Sequence, residues 1–150
     1  MKPPKKLLDD LRNLLKSNCR IFILEDDDDR ITWFRRRLAG HELLIFTNAK
    51  AGIEALDADF DIIFLDHDLD LDHTDAVFEI TDADKYERWL RGGRVGPQTG
   101  YDVACYIASL DTLKTIPVVI HSMNPDGARV MAEALPEAIR LSFSVLKSTL

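Results

Sequence analysis

The sequence predicts an α/β domain built on a doubly wound, five-stranded parallel sheet. Two observations carry that expectation. Four short unbroken apolar runs, at 21–24, 43–46, 62–65 and 118–120, suit strands covered on both faces. Between them, apolar residues recur at helical spacing, so strand and helix alternate along the chain.

The N-terminal segment, residues 1–18, reads as a helix, because Leu7, Leu8, Leu11, Leu14 and Leu15 give 3–17 an apolar stripe. Ile21-Phe22-Ile23-Leu24 is the first strand, and Ile31, Phe34 and Leu38 mark the helix after it. Leu43 to Phe46 is the second strand, followed by a helix at Ile53 and Leu56; Ile62 to Leu65 is the third. A long insertion, 70–99, comes next, with a short lid helix expected over 82–91, where Tyr86 and Trp89 lie three apart. Val103, Ala104, Ile107 and Leu110 then form a helix, Val118-Val119-Ile120 the fourth strand, and Val130, Met131, Ala134 and Leu135 another helix. Alternation of Ile139, Leu141, Phe143 and Val145 suggests an edge strand over 139–145, after which the sequence stops. The usual last helix is then missing, and the N-terminal leucine helix is expected to fill its place or to serve dimerisation.

At 150 residues and 46% hydrophobic content the chain fits a single domain, 1–150, with an ordinary core. The charged content of 30% and mean hydropathy of -0.12 suit a water-soluble globule, and no apolar run approaches the ~18 residues of a membrane span. Asp9, Asp10 and Arg12 interrupt any signal-peptide core, so a cytoplasmic location is expected. Cys19 and Cys105 lack disulfide or zinc spacing and read as buried or half-buried free thiols. A net charge of -7 argues against a broad nucleic-acid surface while leaving room for local contact with an RNA end.

In an open α/β sheet, ligands sit beyond the carboxyl ends of the strands. Those ends read Glu25-Asp26-Asp27, Asp66-His67-Asp68 and His121-Ser122-Met123-Asn124. Carboxylates converging from neighbouring strands repel one another and call for a cation, and hard oxygen ligands suit Mg²⁺. Glu25, Asp26 and Asp66 are the expected metal ligands, while Asp28 or Asp29 is expected to cap the following helix.

These residues also carry a family resemblance. Ile21 to Asp26 (IFILED), Asp61 to Asp68 (DIIFLDHD) and Ile116 to Ser122 (IPVVIHS) resemble, in order, the first, third and fourth strands of two-component receiver domains. The resemblance implies a flavodoxin-like fold with Asp66 as phosphoacceptor, Mg²⁺ on Glu25 and Asp26, and Ser122 bonding the phosphoryl oxygen. It also calls for a lysine after the fifth strand. Lys147 is the only nearby candidate, and it precedes Ser148 where receivers usually have Pro.

Two features depart from ordinary receivers. His67 and His121 flank the key residues, where they could transfer protons or simply pack. In addition, thirty-three positions, 67–99, separate Asp66 from Gly100. DHDL (Asp66 to Leu69), GYD (Gly100 to Asp102) and HSMNPDG (His121 to Gly127) are similar to the receiver subgroup named for cyclic-phosphate processing. That similarity implies a partner bearing phosphate, either a small molecule or a cyclic phosphate end of RNA. The catalytic set would be Asp66, His67, His121 and Ser122, with Ser122, Asn124 and Lys147 on the phosphate and a histidine protonating the leaving ribose oxygen. The alternative is a stand-alone response regulator phosphorylated on Asp66 by a histidine kinase, and the blandest reading is a receiver fold used only for protein contacts.

Weaker patterns are set aside. Asp68, Asp70, Asp72 and Glu79 fall at calcium-loop positions, but His73 replaces the turn glycine. Asp66-His67-Asp68 resembles the nucleophile motif of haloacid dehalogenase phosphatases, yet two strands precede it. Arg35, Arg36 and Arg37 read as an exposed helix face, whereas Arg88, Arg91 and Arg94 on the insertion are candidates to meet a phosphate.

Overall fold

The computed structural model describes residues 5–69, 83–91 and 99–150, without the side chains of Lys85, Arg88 and Trp89. Its elements run α1 (Lys5–Leu14), β1 (Arg20–Leu24), α2 (Asp28–Arg37), β2 (Glu42–Phe46), α3 (Ala49–Ala55) and β3 (Ile62–Leu65). They continue with α4 (Ala83–Leu90), α5 (Gly100–Ser109), α6 (Asp111–Lys114), β4 (Val118–Ile120), α7 (Pro125–Ala134), β5 (Ile139–Arg140) and α8 (Phe143–Thr149). The five strands form one parallel sheet in the order β2-β1-β3-β4-β5. This is the flavodoxin-like architecture that the alternating pattern predicts.

Strand alternation divides the core. Phe22, Leu24, Ile63, Leu65, Val118 and Ile120 face the side covered by α3, α5 and α7. Ile21, Ile23, Ile62, Phe64, Val119 and Ile139 face Leu11 of α1, Phe34 of α2 and Leu146 of α8. Strand β3 and all of β1 after Arg20 are buried, which is why their sequence is continuously apolar there.

The C-terminal segment differs from the sequence expectation. Strand β5 covers only Ile139–Arg140, and Phe143–Thr149 is a helix rather than the end of a strand. Period-two alternation would bury Val145, but Val145 is 43% exposed while Leu146 is fully buried, as the helical spacing of Phe143, Leu146 and Leu150 requires. The last helix is thus present, and α1 lies beside it: Arg12 Nη2 donates to the Thr149 carbonyl at 3.0 Å.

Capping also shifts by one position. Asp27 caps α2 by accepting from the Arg30 N–H at 3.0 Å, while Asp28 and Asp29 lie in the first turn. Cys19 is buried as expected but Cys105 is exposed, and both are free. Among the described residues, no helix is long and apolar enough to cross a membrane. Helix α4 falls where a short helix is expected, over 82–91; the calcium-like pattern from Asp70 onward, Arg94, and the side chains of Arg88 and Trp89 lie outside the described residues.

Candidate functional site

The register of the sheet builds the site. Leu24, Leu65 and Ile120 are aligned across β1, β3 and β4, so Glu25, Asp66 and His121 follow in one row, one step past the strand ends. Backbone bonds extend the ladder that far: Asp66 N–H donates to the Leu24 carbonyl at 3.1 Å and His121 N–H to the Leu65 carbonyl at 2.9 Å. By alternation the three side chains fall on the face of Ile23, Phe64 and Val119. All three are buried, and each offers a ligand atom within 4.8 Å of the others.

Glu25 is held at both oxygens. Oε1 accepts from the backbone N–H of Asp26 at 3.2 Å and of Asp27 at 3.1 Å, and Oε2 lies 2.8 Å from His121 Nε2. Asp66 Oδ1 accepts from the His67 N–H at 2.8 Å. One cation serves both acids: Arg30 Nη1 stands 3.6 Å from Asp66 Oδ2 and 3.8 Å from Glu25 Oε1. Burial dominates their titration and pushes both carboxyls up to about 7, against the pull of Arg30. Burial likewise pushes His121 down to about 4, which keeps its imidazole neutral at pH 7. Rings of Phe34, Phe64 and Phe143 surround it at centroid distances of 5.2, 6.4 and 6.5 Å, and its Nδ1 has no hydrogen-bond partner among the described residues.

His67 and Ser122 sit one residue further and point to the opposite side. The buried His67 ring is fixed at both nitrogens, with Nδ1 2.8 Å from Asp68 Oδ1 and Nε2 2.9 Å from the Leu90 carbonyl, so it ties α4 to the end of β3. Burial alone would push Asp68 up, yet hydrogen bonds from His67 and Asn124 Nδ2 hold its carboxyl below the usual range. Two glycines make room here. A Cβ at Gly127 would meet His67 Cγ at 2.4 Å, and one at Gly100 would meet the Asp66 carbonyl oxygen at 1.8 Å.

A family model described as the cyclic-phosphate processing receiver domain matches residues 5–137. The chain belongs to that family. No curated protein matches the sequence. Among solved structures, the receiver fold is shared with the phosphorylated cyanobacterial phytochrome response regulator RcpA, at 19% identity and a TM-score of 0.59 over 89% of each chain. It is also shared with the Mn²⁺-bound response regulator Rcp1, at 18% identity and a TM-score of 0.56 over 86% of this chain and 87% of that one. A third is the receiver domain of a putative Luxo repressor protein from Vibrio parahaemolyticus, at 13% identity and a TM-score of 0.53 over 89% and 87%.

Within this receiver the expected site residues part company. Glu25, Asp66 and His121 come together; Asp26, half-buried, is not in the close group. The Ser122 hydroxyl accepts from the Asn124 N–H at 3.1 Å, and Asn124 Oδ1 caps α7 by accepting from the Asp126 and Gly127 N–H groups. Lys147, in α8, lies 5.7 Å from the centroid of the Phe143 ring and forms no ion pair with Asp66 among the described residues. Arg91 is engaged by Glu87 and Glu133 at 3.0 and 2.7 Å rather than facing an open site. Arg30 is a site residue to which the sequence reading assigns no role. Its position in the first turn after the β1 acidic pair was the available signal, since that turn sits over the strand ends.

Proposed function

We propose that this receiver is a divalent-cation-dependent protein that acts on the phosphate of a cyclic phosphate ester, the end of an RNA being one such group. The observation that supports this most is the buried row of Glu25, Asp66 and His121, whose ligand atoms lie within 4.8 Å of one another. Two carboxylates and a neutral imidazole fit a hard or borderline divalent ion, Mg²⁺ as the acidic strand ends imply or Mn²⁺, which tolerates the nitrogen better. Bound there, the ion would supply a Lewis acid for a phosphate oxygen. In this reading His121, rather than Asp26, completes the ligand set with Glu25 and Asp66. Its low affinity for protons makes it a ligand or a hydrogen-bond donor to Glu25 rather than an acid at neutral pH. His67, with both ring nitrogens engaged, supports the loop that carries Asp66.

The test is turnover of a 2′,3′-cyclic nucleotide with Mg²⁺ or Mn²⁺. Hydrolysis that is lost in Asp66→Asn and His121→Ala supports the reading, and no turnover with either ion overturns it. A second reading, phosphorylation of Asp66 in a phosphorelay with a histidine kinase, is favoured by the fold shared with the phosphorylated RcpA. Incubation with acetyl phosphate separates the two, since a phosphoacceptor takes up a label that Asp66→Asn abolishes.

A further inference from the structure

We infer that Arg30 is the phosphate-contacting cation of this site, filling the role for which the receiver resemblance offers Lys147. The inference rests on the phosphate reading above and names the side chain that recognises the anion. Arg30 is placed between the buried acids and solvent: its side chain is 27% exposed, while those of Glu25 and Asp66 are 0% and 3%. Its contacts with them, 3.8 and 3.6 Å, are those of a charge balancing two acids from beyond hydrogen-bond length. The guanidinium makes no hydrogen bond among the described residues, so its N–H donors remain available.

Its position is nevertheless held. The guanidinium carbon lies 5.3 Å from the centroid of the Phe143 ring, a cation–π contact that restricts the side chain without using its donors. Phe143 in turn packs on Trp33 at 5.2 Å and Phe34 at 6.1 Å, which ties the arrangement to the α2–α8 contact. A planar fork with free donors, held near an aromatic ring at the rim of an acidic pocket, suits bidentate recognition of phosphate. Lys147 shares the Phe143 ring but lacks that fork and is not paired with Asp66 among the described residues. While the acids carry charge without another partner, Arg30 balances them. With a divalent ion on Glu25 and Asp66, that balance is no longer needed and the guanidinium can serve the anion.

The test compares the wild type, Arg30→Met and Arg30→Lys by calorimetric titration with Mn²⁺ alone, then with inorganic phosphate, each phosphate series run with and without Mn²⁺. Arg30→Met is expected to bind Mn²⁺ as tightly as the wild type or more tightly, because a competing cation has gone. Its affinity for phosphate is expected to fall by at least about tenfold, the loss of one charge-assisted hydrogen bond. Arg30→Lys, which keeps the charge without the fork, should fall between. Unchanged phosphate affinity in Arg30→Met, or no phosphate binding by the wild type in either series, overturns the inference. Failure of the wild type to bind Mn²⁺ overturns the metal reading and this inference with it, whereas Mn²⁺ binding with phosphate affinity unchanged in Arg30→Met overturns the inference alone.

Discussion

His121 Nε2 and Glu25 Oε2 meet at 2.8 Å although β4 and β1 are not neighbours in the sheet; β3, which Asp66 follows, runs between them. The contact therefore closes over Asp66 and locks the row of strand ends together. Breaking it leaves a buried glutamate without its partner and a void among three phenyl rings. His121→Ala is expected to cost about 2–4 kcal/mol in urea unfolding, whereas Glu25→Gln, which can keep its oxygen on the Asp26 and Asp27 N–H groups and donate its amide N–H to Nε2 of the neutral His121 ring, should cost under about 1 kcal/mol. Equal losses in the two variants would show that the contact contributes little.

Stability in the presence of a chelator should rise on acidification. Glu25 and Asp66 carry carboxyls raised to about 7, so their contribution is full below the unfolded values of 4.5 and 3.8 and is lost as pH rises through about 7. His121, lowered from 6.5 to about 4, works the other way: its contribution is present above 6.5 and is lost as pH falls toward 4. Between roughly pH 4.5 and 6.5 two groups oppose one, and the net direction favours acid. The thermal midpoint should climb from pH 7 to pH 5, with a shallower slope in Asp66→Asn. An identical slope in that variant would remove Asp66 from the account.

Mn²⁺ should raise the thermal midpoint more at pH 7.5 than at pH 5.5, because the carboxyls must be ionised to bind it. The shift should vanish in Asp66→Asn. A shift of the same size at both pH values would place the ion elsewhere.

Close approach makes Gly100 and Gly127 intolerant of a side chain. Gly100→Ala would press a methyl against the Asp66 carbonyl, and Gly127→Ala would press one into the His67 ring. Each should cost about 2–3 kcal/mol or more in denaturant unfolding, with Gly100→Ala the worse because backbone yields less than a side chain. Losses below about 1 kcal/mol would mean that the α5 and α7 N-termini move freely.

The two links between α4 and the domain should differ in strength. The pairs of Glu87 with Arg91 and Arg129, and of Glu133 with the same arginines, are solvent-exposed, so Glu87→Ala should have a small, salt-sensitive effect. His67→Ala removes a buried hydrogen bond to the Leu90 carbonyl and should accelerate hydrogen exchange of the α4 amides well beyond the Glu87 variant. The reverse ranking would assign the anchoring of α4 to the surface ion pairs.

Much of the site was legible in the sequence because a parallel sheet gathers whatever follows each apolar run at one edge. IFILE, IIFLD and VVIH place Glu25, Asp66 and His121 at equivalent positions, and period two puts them on one face while sending His67 and Ser122 to the other. Only tertiary packing decided what meets that row. Whether Arg30 or Lys147 faces Asp66 depends on how α2 and α8 settle on the sheet, and period two over Ile139 to Val145 could not reveal that Leu146 would be the buried residue. Local spacing fixes the direction in which a side chain leaves its own element; its partners come from elements distant in the chain, and those contacts exist only once the apolar faces have packed together.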